Sequence, residues 1–215
     1  MSTELLNLFS ATFVTFFVLI DCLGVAPVFA SMTAPGGAKY ARRMAIKSVI
    51  VATIIVFAFA FGGAWLLDQM HISIDAFRAA GGALLFLIAL DMVFEKRTER
   101  RENRAEEHMS DHHVPEDDIS VFPLGIPMLA GPGTIATAML YMGNAEGDVM
   151  EQIVVLSALG INMVIVLIVF LIAGPLIRFM GDSVAGALTR ILGVILAALS
   201  IQLLIDGIKG AFNLG

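Results

Sequence analysis

Asp21 follows the apolar run of residues 13–20 and stands well inside the first long hydrophobic segment of the chain. A carboxylate at such a depth is costly unless it has a partner. Two chemistries fit it: binding a cation, whether a proton, Na⁺ or the ammonium of a solute, or capping broken backbone by accepting from freed N–H groups. The second place where residue types and spacing suggest chemistry is Gly131-Pro132-Gly133-Thr134. Gly131 suits an N-cap, and Pro132 suits the first position of a helix, where its missing N–H is an orphan anyway. The N–H groups of Gly133, Thr134 and Ile135 are then expected to point back toward a break. A helix N-terminus carries about half a positive charge and is a ready anion site. In the first segment Pro27, after Gly24, is expected to start a half-helix in the same way.

The elements that position these residues are broken spans. Residues 121–135 are apolar enough to lie in a bilayer, yet they include Pro123, Pro127, Pro132, Gly125, Gly131 and Gly133. Pro removes a helix hydrogen bond and Gly adds backbone entropy, so a plain spanning helix has no use for that density. Irregular backbone at membrane depth is tolerated only where it is buried in protein or lines a cavity. Six apolar segments follow from the hydropathy pattern, roughly 5–34, 47–68, 77–94, 120–142, 151–177 and 184–208. The first is too long for one straight span, since about 30 residues of helix cover ~45 Å against a core of ~30 Å. The first and fourth segments are therefore both expected to be broken.

Composition sets the class. The chain has 215 residues, of which 58% are hydrophobic and 15% charged, with mean hydropathy +0.89. Long apolar runs separated by charged clusters mark an all-α, multi-pass membrane protein rather than a soluble domain. Cys22 is the single cysteine, so no intrachain disulfide can form. No cleavable signal peptide is evident, because no basic residue precedes the first apolar run. With six spans, Arg78 and Lys209 fall on one side. Lys39, Arg42, Arg43, Lys47, Lys96, Arg97, Arg100, Arg101, Arg104, Arg178 and Arg190 fall on the other. That bias places both termini outside the cytoplasm and residues 95–119 inside. This hydrophilic loop holds His108, His112 and His113. A solvated linker accounts for them better than a metal site, since no cysteine or fixed scaffold supports one.

The halves resemble each other. Arg78-Ala79-Ala80-Gly81 opens the third span and Arg190-Ile191-Leu192-Gly193 the sixth; Asp21-Cys22-Leu23-Gly24-Val25 can be laid on Ala130-Gly131-Pro132-Gly133-Thr134. Three spans per half is odd, so the second half must enter from the opposite face. This predicts one transmembrane domain over 1–215, with a repeat at 1–94, the loop at 95–119 and an inverted repeat at 120–215. Interfacial anchoring explains Arg78 and Arg190 better than a functional role. Asp91, one turn before Glu95, is expected at the interface, and Asp206 is expected to pair with Lys209. No Walker A motif is present, because residues 181–188 have the glycine spacing without the Lys, and no His-Glu-x-x-His or Ser/His/Asp grouping lies in the spans. ATP-driven transport and proteolysis are unsupported, and no enzyme is expected.

The chain resembles the MarC family of membrane proteins, which includes small neutral amino acid transporters. The most specific stretch is Pro123-Leu124-Gly125-Ile126-Pro127 followed by Leu129-Ala130-Gly131-Pro132-Gly133-Thr134-Ile135. The first-half motif of many members runs Asp-Pro-Leu-Gly-Asn-x-Pro-x-Phe. Here Asp21, Leu23, Gly24, Pro27 and Phe29 match it, while Cys22 and Val25 depart, and Val25 removes an amide beside the site. Arg78 with Gly81-Gly82, and Arg190 with Gly193 and Gln202, also fit. The resemblance implies six spans in an inverted repeat, with ion-coupled movement of glycine, alanine and similar amino acids.

The leading reading is a secondary transporter of small neutral amino acids in the cytoplasmic membrane, coupled to H⁺ or Na⁺ and using no cofactor. Its substrate contacts are Asp21, Gly24, Val25 and Pro27 at one break and Gly131, Pro132, Gly133 and Thr134 at the other. Thr53 and Asn162 are candidate polar contacts that interhelix hydrogen bonding explains equally well. Gly133 is expected to lie against the solute, so that Gly133→Leu abolishes uptake while insertion survives. The alternatives are a passive channel for a small polar solute, which would lack the Asn-Pro-Ala signature, and a scaffold or regulatory protein acting through residues 95–119. The partners are lipid and solute rather than nucleic acid, and a homo-oligomer is left open.

Overall fold

The computed structural model describes residues 3–94, 118–145 and 147–212, and these are helical almost throughout. The His-containing loop and its proposed roles lie outside the described residues. Helix α1 (Thr3–Ile20) is followed after one residue by α2 (Cys22–Thr33). A single tight turn, Ala34–Gly36, leads into α3 (Gly37–Gln69). Pro35 and the positive φ of 71° at Gly37 set that turn. His71, also left-handed at φ 57°, closes α3. Ser73 then caps α4 (Ile74–Val93) by accepting from the N–H of Ala76 at 3.1 Å.

The second half opens on an irregular proline segment, Ser120–Leu129. It bends by 59° into α5 (Pro132–Asn144). Helix α6 (Val149–Leu171) is capped by Asp148, whose carboxylate accepts from Met150 and Glu151. Helix α7 (Ala173–Ala211) follows directly. The fifth apolar segment therefore ends earlier than its hydropathy suggests. Pro175 falls in the first turn of α7, where a missing N–H breaks no bond, so the proline begins a helix instead of ending one.

Four stretches are long and apolar enough to cross a membrane: Thr3–Gln69, Ile74–Val93, Val149–Leu171 and Gly186–Ala211. The bent pair of proline segment and α5 makes a fifth. The 67 residues of Thr3–Gln69 would measure about 100 Å as one helix, some three times the bilayer core. The interruptions at Asp21 and at Ala34–Gly37 divide that run.

One apolar core joins α1, α2, α3, the proline segment, α5 and α6, with Phe29 stacked on Phe170 at 4.2 Å between ring centroids. A smaller cluster ties the end of α1 (Val18, Leu19) to Leu85 and Met92 of α4 and Leu196 of α7. Large apolar side chains such as Ile54, Phe61 and Trp65 face outward, as a lipid-solvated surface requires. Helices α4 and α7 run antiparallel in close contact. A Cβ on Gly82 would sit 2.6 Å from the backbone N of Leu204, one on Gly207 would meet the N of Ala79, and one on Gly193 would lie 2.8 Å from Cβ of Met92. In lipid, where apolar surface gives helices no reason to associate, such small-residue contact is a main source of affinity.

Candidate functional site

The first break is made by Asp21 itself. Its backbone is left-handed, φ 50° and ψ 55°, and its side chain caps α2. The carboxylate accepts from the N–H of Gly24 at 3.3 Å and from the Thr189 hydroxyl at 3.2 Å. Asp tolerates this conformation because its short polar side chain bonds locally. Only 1% of Asp21 is exposed. The capping chemistry is therefore the one seen. The expected start at Pro27 is corrected: α2 begins at Cys22, and Pro27 lies inside it. A proline there forfeits the bond its N–H would have made to the Leu23 carbonyl one turn back and crowds that carbonyl with its ring, a cost the helix absorbs. Gly24 is held tight, since a Cβ would meet the Asp21 carboxylate and lie 2.7 Å from the Thr189 hydroxyl. Val25 is wholly buried, with its N–H bonded to the Asp21 carbonyl at 3.0 Å.

The second break has a different chemistry. Phe122 (φ −129°, ψ 132°) and Ile126 (φ −127°, ψ 130°) are extended, as residues before proline prefer. They set a four-residue rhythm, Phe-Pro-Leu-Gly then Ile-Pro-Met-Leu. The N–H of Ala130 closes the segment on the Gly125 carbonyl at 2.9 Å. Gly131 is then the N-cap and Pro132 the first helical residue, as the sequence predicts. Gly131 gives no side-chain cap, so the N–H groups of Gly133 and Thr134 have no partner within α5. Both residues are buried, Gly131 is half-buried and Pro132 is exposed.

The start of α5 packs against the end of α1. A Cβ on Gly133 would stand 3.4 Å from Cδ2 of Leu19, two residues before Asp21. It would also stand 2.7 Å from Cδ1 of Ile88 and 3.2 Å from Cδ2 of Leu85. The side of Gly133 that a side chain would occupy is thus filled by α4 and α1 rather than open to a solute. What Gly133 can offer the break is its N–H.

A family model of MarC family integral membrane proteins matches residues 6–212. The chain belongs to the MarC family. Among its relatives, the "UPF0056 membrane protein MJ1677" of Methanocaldococcus jannaschii is 36% identical over 96% of this chain and 98% of its own length. A "UPF0056 membrane protein" of Archaeoglobus fulgidus is 34% identical over 94% and 93%. The "UPF0056 membrane protein YhcE" of Escherichia coli is 32% identical over 93% and 91%. No solved structure matches the chain.

The remaining polar residues of this MarC-family protein are held within or between helices. Thr53 donates to the Val49 carbonyl within its own helix. Asn162 donates to Ala158 at 2.9 Å and to Phe13 at 3.2 Å, tying α6 to α1. Both are seen in helix-bonding roles. Arg78 pairs with Asp75 at 2.7 Å and donates to Asn144, joining α4 to the end of α5. Asp206 accepts from Gln202 at 2.9 Å, and the expected pair with Lys209 is not among the ion pairs of the described residues. One turn of helix suffices for Gln202 to reach it. Asp118 is bonded to Lys47 at 2.5 Å and to Ser120, and these contacts hold its carboxyl down at about 2.

Sequence reasoning passed over Thr189, which completes the Asp21 cap, and the hydroxyls of Thr12, Thr15, Thr137 and Tyr141. Thr15 and Tyr141 lie 3.2 Å apart, bridging α1 and α5. The signal was present as spacing: Thr134, Thr137 and Tyr141 recur at i, i+3 and i+7, one face of a helix.

Proposed function

We propose that this protein is a secondary transporter of small neutral amino acids, built as an inverted repeat of six spans with both termini outside the cytoplasm. The observation that carries the reading is the unequal pair of breaks. At one, a buried carboxylate caps its own helix; at the other, a buried helix N-terminus has no cap. A small zwitterion complements both, with its carboxylate at the N–H groups of Gly133 and Thr134 and its ammonium at Asp21. The approach of Leu19, two residues before Asp21, to Gly133 supports a site that one small molecule spans.

The packing pattern supports the repeat. Helix α1 lies on α6 as the proline segment lies on α3, α2 on α7 as α5 on α4, and α2 on α6 as α5 on α3. The pairs α4–α7 and α3–α6 map onto themselves. On this reading α1 with α2 is one broken span, and the proline segment with α5 is its counterpart.

Uptake of labelled glycine, alanine and larger amino acids into proteoliposomes, with and without imposed proton and sodium gradients, tests the proposal. Saturable, gradient-driven uptake of the small ones is expected. Asp21→Asn keeps the shape of the cap but removes the charge and should lower uptake at least about tenfold, the equivalent of about 1.4 kcal/mol. No uptake above protein-free vesicles would overturn the assignment, and unsaturable uptake indifferent to gradients would replace the carrier with a channel.

A further inference from the structure

We propose that the seam between α1 and α5 holds water and forms the polar route from the helix breaks to the membrane face that carries the start of α1. The hydration rests on the geometry alone; the role as a route for solute rests on the transporter reading above.

Thr12 and Thr15 stand three residues apart on α1, on one face of the helix. Thr134, Thr137 and Tyr141 line one face of α5. The faces meet at two levels, where Thr15 approaches Tyr141 at 3.2 Å and Leu19 approaches Gly133. Numbers rise along α1 as they fall along α5, so the helices are antiparallel and Thr137 lies between the two contacts. All four threonines are at least 97% buried, with relative exposures of 0, 1, 3 and 1% for Thr12, Thr15, Thr134 and Thr137.

Hydroxyls inside these helices are ordinarily satisfied by a carbonyl one turn back. Thr15 donates to Ala11, Thr33 to Phe29 and Thr53 to Val49, each within 2.8 Å. Ser48, Ser157 and Ser200 each donate to a carbonyl three residues back. Thr12 and Thr137 do not: among the described residues, their Oγ1 atoms are the buried side-chain atoms with no hydrogen-bond partner. Two orphans on the two helices of one seam, one on either side of the Thr15–Tyr141 contact, each point to a ligand of their own. Buried polar groups are bonded to protein or to ordered water, and a buried water takes two to four such partners. The Thr12, Thr137 and Tyr141 hydroxyls, with the uncapped N–H groups of α5 at the inner end, offer that set along one line.

The test is thiol accessibility in the full-length protein with Cys22→Ala as background. Thr12→Cys and Thr137→Cys are each exposed to a charged, membrane-impermeant methanethiosulfonate reagent from the face that carries the start of α1. Such a reagent attacks through the thiolate, which requires water at the sulfur. Ala138→Cys, next to Thr137 but at a position buried in the apolar core, is the control. Both seam cysteines are expected to react at least about tenfold faster than the control, because apolar burial suppresses the thiolate at position 138. Reaction no faster than at position 138 would overturn the proposal. Thr12→Val with Thr137→Val gives a second readout. If the hydroxyls were dry, this isosteric pair would raise Tm by removing two unsatisfied groups, which would overturn the proposal. An unchanged or lower Tm with slowed uptake supports it. Fast labelling in a protein that moves no amino acid would sustain the hydrated seam and sink the transporter reading alone.

Discussion

A left-handed aspartate solves two problems at Asp21. The backbone must break, and an Asp can adopt the turn because its carboxylate bonds the N–H of Gly24. The carboxylate must also be tolerated in an apolar span, and the same bond, with Thr189, provides for it. Cation binding and capping, which the residue type leaves open, are compatible in one group. Gly133 is the opposite case. Sequence alone suggests open space beside it, but Ile88, Leu85 and Leu19 fill that space. Gly133→Leu is thus an overpacking mutation, expected to cost about 1–3 kcal/mol and to lower the Tm and yield of the detergent-purified protein. Gly62→Leu, whose Cβ would meet nothing within 4 Å, is expected to behave as wild type. A Gly133→Leu protein that melts with wild type would contradict this account.

At the scale of elements, the second break was legible and the first was only half so. Pro132 announces a helix start because the N1 position has no bond to lose. Pro27 looks the same in sequence, yet α2 absorbs it, since one lost hydrogen bond in a well-packed helix is tolerable when a stronger break lies six residues earlier. The threonine seam escaped notice because a membrane hydroxyl is silent in sequence when a carbonyl one turn back can satisfy it. Only the packed helices separate the orphaned Thr12 and Thr137 from the satisfied Thr15. The α4–α7 pair offers a sharp test between neighbours. A Cβ at Gly82 would collide with Leu204 and Ser200, while one at Gly81 would meet nothing within 4 Å. Gly82→Ala is expected to destabilise the protein by roughly 1–3 kcal/mol. Gly81→Ala should be neutral or stabilising by up to about 1 kcal/mol through helix propensity. Thermal melts of the two variants side by side decide it, and equal shifts would refute close packing of these helices.

At the scale of the molecule, the apolar pattern correctly predicts an all-helical membrane protein, and the family match bears out the resemblance. On the proposed six spans, eleven cations fall on one face and two on the other, a bias that supports placing residues 95–119 in the cytoplasm. A reporter active only in the cytoplasm should be silent when fused after Gly215 and active when inserted between residues 104 and 110. A strong signal at Gly215 would break the six-span arrangement and the inverted repeat with it.

The lengths of α3 and α7 have a consequence for how the protein sits in its bilayer. At 33 and 39 residues they would measure about 50 and 58 Å, well beyond a core of about 30 Å, so each must protrude. Lys39, Arg42, Arg43 and Lys47 occupy the start of α3, and Arg178 and Arg190 the first half of α7. On the proposed topology both overhangs leave the cytoplasmic face, at the level of anionic headgroups that draw such cations. These two helices act together as a draught mark. If that topology holds, a thicker membrane can climb their flanks only as far as the cations allow, so the depth of immersion, and with it the level of the breaks between the two aqueous phases, is set from the cytoplasmic side.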